Sequence, residues 1–418
     1  MVRAVFFRAL LVCLMVAGLV ACNTTQVNSV FDPNGTETEI TAADEAPVQT
    51  AGGVILPRAE VPASKGTLIE GVKVAILVPQ SGPNAALGEA LMQAAQLAVF
   101  DLNEPMFQLI PKDTKGTAEG TQKAVDEAAR EGARLILGPV FAQEVEAARN
   151  AARPYGINVI GFSTDWRVAG DNAYVMGVLP FGQVERITEY AARQGVRRVA
   201  VVAGKDMYGD AVLSLFQTAA QRNGIAVVRV ARIAADGKDA ATAIQPLTGG
   251  QKNAADFDAL FMPVGGQAAH ILASTLKSYG IGGNRIKLMG TGLWDDAQIL
   301  SDPNMAGAIY AAPAPQVRAA FERNYQRIYG GQPPRLASIG YDAAALAVVL
   351  ARNASAAGQR VSYDRNAFMN ANGFSGVDGI FRFRSNGLVE RGMAVLQIGA
   401  GNAHLLEAAP TSFVATQR

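Results

Sequence analysis

Two histidines, His270 and His404, and two cysteines, Cys13 and Cys22, are all the 418-residue chain offers to the commonest nucleophilic and general-base chemistries. No serine sits in a Gly-x-Ser-x-Gly turn of the kind that lifts a nucleophile off a strand. His270 falls among Ala268, Ala269, Ile271 and Leu272 on a predicted helix, the setting of a structurally satisfied imidazole. A His-Glu-x-x-His pair is absent, and Ala203-Gly204-Lys205-Asp206 lacks both the leading glycine and the closing Ser or Thr of a phosphate loop. Gly280-Ile281-Gly282-Gly283 precedes a predicted strand, whereas a dinucleotide fingerprint must follow one. Asp295 and Asp296 could share acid–base work, yet adjacent acids at a helix start ordinarily cap it. The expectation is a non-enzymatic protein without metal or cofactor.

The cysteines say more about location. Arg3 and Arg8 flank a short basic start, and residues 9–21 are almost wholly apolar, as in an export signal and too short to span a bilayer permanently. Leu19-Val20-Ala21-Cys22 resembles the bacterial lipobox, in which the cysteine is acylated and becomes the new N-terminus. Several acyl chains would anchor the chain stably, at roughly 0.8 kcal/mol per buried methylene. Asn23 in place of Asp leans toward the outer membrane. Past Cys22 no thiol remains, which excludes disulfides and thiolate sites from the folded body. Without Arg3 and Arg8 the 37 basic residues fall to 35 against 36 acidic ones, scattered along the chain, so no nucleic-acid partner is expected. Residues 22–70 are rich in Thr, Asn, Ala, Pro and Glu and are read as a tether with a reach of roughly 40 Å.

Any site must therefore be built by residues 71–410. The apolar run at 72–79, closed by Ser81-Gly82-Pro83, precedes a helical spacing of Leu91, Ala94, Ala95 and Ala98. Strands at 107–111, 134–138, 157–162 and 174–178 follow, the first two each leading into a helix. A second series holds strands at 197–203, 225–231, 258–263 and 286–290. Such alternation predicts an α/β fold with mostly parallel sheets covered by helices on both faces, and two series predict two lobes. Helices at 315–329 and 336–352 break the rhythm. A hairpin of 379–384 with 391–398 follows, turning at Asn386-Gly387.

The segments KVAILVPQSGPNAALGEAL, RLILGPVFAQEV, KDMYGDAV and GVDGIFRFRSNGLVERGMAVLQI resemble the type I periplasmic binding proteins of the leucine-binding kind. The resemblance implies three crossings between lobes, with lobe one at about 71–181 and 312–358 and lobe two at about 182–311 and 359–410. It also implies a ligand cleft beyond the carboxyl ends of the strands. The residues placed there are Ser81, Phe141, Ala142, Gln143, Ser163, Thr164, Asp165, Tyr208 and Trp294. Leucine-binding proteins grip the ligand carboxylate with a serine-rich stretch where this chain has Phe141 and Ala142, and place a glutamate near the ammonium where it has Gly292. Asp165 or Asp295 could supply that acid instead.

The lipobox, the tether, SGPNAALGEALMQAAQLAVFDL, GTGLWDD and GVDGIFRF further resemble the lipoproteins known as penicillin-binding protein activators, which stimulate peptidoglycan synthases. Enteric members carry an N-terminal helical-repeat domain, and here the tether stands in its place. Two functions are thus expected in order: a non-enzymatic envelope lipoprotein acting on a peptidoglycan synthase, or the substrate-binding component of an ABC importer, delivering an amino acid or similar polar solute to a permease.

Overall fold

The computed structural model describes residues 71–413 apart from 250, 254 and 284. The apolar start, Cys22 and the segment 22–70 lie outside the described residues. Strand β1 (Val72–Val78) is buried at every position except the partly exposed Lys73, so it needs neighbours on both edges and cover on both faces. Parallel partners β2 (Phe107–Asp113) and β3 (Leu135–Leu137) fill the edges, and β4 (Asn158–Gly161) and β5 (Ala173–Val175) complete the order β2-β1-β3-β4-β5. Alternation sorts the side chains: Val74, Ile76 and Val78 join one core, Ala75 and Leu77 the other. The first core is closed by α1 (Ala85–Asp101), the second by α2 (Ala118–Arg130) and α3 (Ala142–Ala152).

The second lobe repeats the plan. Strands β6 (Arg198–Gly204), β7 (Ala226–Ile233), β8 (Ala259–Phe261), β9 (Lys287–Gly290) and β10 (Ile309–Ala312) run parallel in the order β7-β6-β8-β9-β10. Helix α4 (Phe181–Arg193) precedes β6, and α5 (Met207–Arg222), the single turns α6 (Ala240–Ala243) and α7 (Gln245–Thr248), α8 (Gly266–Ser278) and α9 (Ala297–Leu300) lie between the strands in sequence. The chain then returns to the first lobe with α10 (Pro315–Tyr329) and α11 (Ala337–Ala356). Helix α11 is buried on every side from Ala337 to Ala351, as its mostly apolar sequence requires, with Ser338 and Asp342 the polar exceptions among charged partners. It can lie against α1 because residue 340 is glycine: a Cβ there would stand 2.4 Å from the carbonyl oxygen of Leu91. The expected α/β fold of mostly parallel, helix-flanked sheets is the one observed.

The C-terminal part differs from expectation. After the turn α12 (Arg365–Phe368), strands β11 (Phe374–Gly376), β12 (Gly379–Phe383) and β13 (Val389–Arg391) form an antiparallel sheet. Phe374, Val377, Phe381, Phe383 and Val389 pack into the core of lobe one, so most of the 359–391 stretch belongs there and not to lobe two. The last crossing falls between β13 and β14 (Ala394–Ile398) and not near 358. The hairpin does turn at Asn386-Gly387, but β14 leaves it to pair with β10, and β15 (Ala403–Glu407) adds beyond. Residues 391–398 read as one strand because they are mostly buried, although Arg391 still ends β13 and pairs with Phe381, whereas Met393 and Val395 already pack into lobe two. Among the described residues, no helix is long and apolar enough to cross a membrane.

Candidate functional site

A cavity of about 310 Å3 opens where the two lobes meet, walled by segments that follow β4, β5, β6, β9 and β10. Lobe one contributes Thr164, Arg335 and Leu336; lobe two contributes Tyr208, Gly292, Leu293 and Asp295. The crossings supply Val178 and Pro180 on one side, Ala312 and Pro313 on the other. Gln183, in the first turn of α4, ties wall and crossing together: its Nε2 donates to the carbonyl of Leu179 at 2.9 Å and its Oε1 accepts from the N–H of Gly292 at 2.6 Å. Gly292 thus offers its backbone N–H to an internal amide.

The expected site residues divide. Thr164 and Tyr208 line the cavity. The Tyr208 hydroxyl lies 3.3 Å from Thr291 Oγ1, and burial pushes its pKa up to about 12 despite that hydrogen bond, so it stays protonated. Ser163 lies beneath the surface, where its Oγ accepts from the N–H of Asp165. Asp165 caps its own turn and grips Arg167 through both oxygens; that side chain and hydrogen bond hold its carboxyl below the usual range. Ser81 donates to Asp113 Oδ2 at 2.7 Å, and Asp113 also accepts from the N–H groups of Gln80 and Lys115. Phe141 precedes α3 and donates its N–H to Glu144, while Ala142 packs on the lobe-one core and Gln143 is exposed. None of these six residues, Ser163, Asp165, Ser81, Phe141, Ala142 and Gln143, lines the cavity.

Trp294 is likewise removed from the wall. Its indole is fully buried in lobe two and donates to the carbonyl of Val264 at 2.9 Å. Gly290 makes the space, since a Cβ there would lie 2.4 Å from the indole. Asp296 caps α9, as adjacent acids at a helix start do, but Asp295 does not. His270 pairs with Asp302 at 2.7 Å away from the cavity, and among the described residues no group of acids, histidines or cysteines is arranged to hold a metal.

A charged wall is built from residues far apart in the chain. Asp295 Oδ2 of lobe two meets Arg318 Nη1 and Arg335 Nε of lobe one, each at 3.3 Å. Arg335 Nη1 also donates to Asp378 at 3.0 Å, and Ser338 donates to the same carboxylate at 2.6 Å. Beyond it, Asp342 accepts from Arg391 and from the N–H of Val377. Burial opposes ionisation of Asp378, yet Arg335, Arg391, Ser338 and Arg318 hold its carboxyl below the usual range. Burial, with Asp378 adding to it, pushes Asp342 up to about 6 against the pull of Arg391. Of these residues the sequence pointed to Asp295 as a candidate acid, and Arg335 stands directly before a mostly apolar run.

A family model described as periplasmic binding protein matches residues 71–403. A curated relative, uncharacterized protein RP748 of Rickettsia prowazekii (strain Madrid E), is 24% identical over 119 residues, 28% of this chain and 32% of its own length. This chain thus spans about a third of that relative. The structure of a putative branched-chain amino acid ABC transporter from Rhodospirillum rubrum, 18% identical, matches 80% of this chain and 100% of its own with a TM-score of 0.70. A solute binding protein of an ABC transporter from Rhodopseudomonas palustris BisB5, in complex with 3,4-dihydroxy benzoic acid, is also 18% identical. It covers 83% of this chain and 99% of its own, with a TM-score of 0.60. At such identities the likeness is one of fold. With its model spanning both lobes, the periplasmic binding protein family, in its type I form, is the family to which this chain belongs.

Proposed function

We propose that the chain is a non-enzymatic solute-binding protein of the cell envelope, which holds one small molecule between its lobes as the receiving component of an ABC importer does. The observation that carries this reading is a cavity whose wall draws on both lobes and two crossings, so a bound solute touches both halves and biases their separation. Its volume sits at the low end for ligand pockets, which fits a small molecule. Solved structures of the same fold are described as ABC transporter components, one with an aromatic acid bound. A melting screen of the full chain against amino acids, organic acids, sugars and peptidoglycan fragments tests the reading. A solute at a hundred times its Kd adds about 2.7 kcal/mol and raises Tm. No rise with any compound counts against a solute site.

Attachment through lipid on Cys22 is part of the proposal, supported by the lipobox-like Leu19-Val20-Ala21-Cys22. Cys22→Ser is expected to move the protein from the membrane to the soluble fraction, and continued sedimentation with membranes would refute the anchor. Segments resembling the penicillin-binding protein activators favour a second reading, in which the anchored body touches a peptidoglycan synthase. The cavity favours the first, because a surface contact asks for no chamber between the lobes.

A further inference from the structure

We infer that the solute is a small carboxylate with an apolar body and no ammonium group, its carboxylate received by Arg335 on the lobe-one wall. The inference rests on the solute-binding reading of this cavity and adds the charge of the ligand to it. Val178, Pro180, Leu293, Ala312, Pro313 and Leu336 make most of the lining apolar, a surface for a hydrocarbon or aromatic body.

The polar groups decide the other end. Among the described lining residues the only acid is Asp295, and it already lies between two guanidinium groups. An ammonium ion would have to take Asp295 from Arg318 and Arg335 or remain buried without a carboxylate, which is costly in a confined site. The neighbouring acids are committed as well, Asp165 to Arg167 and Asp206 to the N–H of Gly209. The Gln183 amide oxygen already accepts from the N–H of Gly292.

What remains is donor-rich. Tyr208 and Thr164 carry hydroxyls. Arg335 bonds described residues through Nε and Nη1, which leaves Nη2 of its planar fork for an acceptor. An acceptor-only, singly charged group matches that set.

Four probes differing pairwise only in the ammonium group test the assignment: 4-methylpentanoate against leucine and 3-phenylpropanoate against phenylalanine, titrated calorimetrically into the full chain at neutral pH. At least one carboxylate is expected to bind ten times or more tighter than its amino acid. Arg335→Gln should weaken it at least tenfold, and Asp295→Asn, which frees part of the guanidinium fork, should tighten it. Where a variant does not fold, the wild-type pairs alone decide. Amino acids binding as tightly as their deaminated partners, or binding of another solute class while all four fail, would overturn the carboxylate assignment and leave the solute-binding reading standing. Failure of all four together with silence across the melting screen would overturn both.

Discussion

Asp342 and Asp378 show how neighbours of one residue type acquire opposite titration behaviour. Both are buried, but Asp378 faces Arg335, Arg318 and Arg391 and accepts from Ser338, whereas Asp342 has Arg391 as its one arginine, the N–H of Val377, and Asp378 nearby. The folded pKa of Asp342, about 6, lies above the value of about 3.9 for an unfolded chain. Its stabilising increment is therefore fully present below about pH 4 and lost as pH rises through about 6; Asp378, held low, behaves in reverse. The Tm of the wild type minus that of Asp342→Asn is expected to shrink between pH 4 and 6, by melting scans in matched buffers. A difference that grows with pH would show that Arg391 outweighs burial. At this scale residue types were legible and partners were not. Ser163 and Asp165 serve their own turn, Ser81 serves Asp113, and Trp294 fills a space opened by Gly290. Each looked like a ligand contact because short polar groups and aromatics serve both purposes.

Elements were more legible, since period and length show directly in the order of residues. The expected helix at 315–329 coincides with α10, and the one at 336–352 with most of α11. The short strands β11 and β13 and the edge strand β15 were not seen, because three residues carry too little alternation and β15 is largely unburied. Close packing of α1 on α11 also lies beyond one-dimensional patterns, as it depends on residues 91 and 340 meeting. Gly340→Ala gains about 1 kcal/mol of helix propensity. The added methyl would meet a backbone carbonyl that can only retreat by separating the helices, a cost of about 1–3 kcal/mol or more. The net expectation is a Tm lowered by several degrees, read by circular dichroism. An unchanged or higher Tm would show that the helices have slack.

For the whole molecule, two alternating series announced two lobes, and the family resemblance located the cleft between them. What could not be read was the chemistry of the wall, because Thr164, Tyr208, Asp295 and Arg335 converge only after the chain has crossed between lobes. The ion pairs of Asp295 with Arg318 and Arg335 already join the lobes beside the crossing at Ala312 and Pro313. A solute in the cavity would add its contacts to an existing bridge. The most direct measurement is an equilibrium titration, with the solute chosen by the melting screen, of the wild type and of the Thr164→Ala, Tyr208→Phe double variant. Loss of two hydrogen-bonding hydroxyls, at about 1 kcal/mol each or more, should weaken one-to-one binding at least tenfold while the unliganded proteins melt within a few degrees of each other. Equal affinity in the two proteins would put the solute elsewhere and contradict the account.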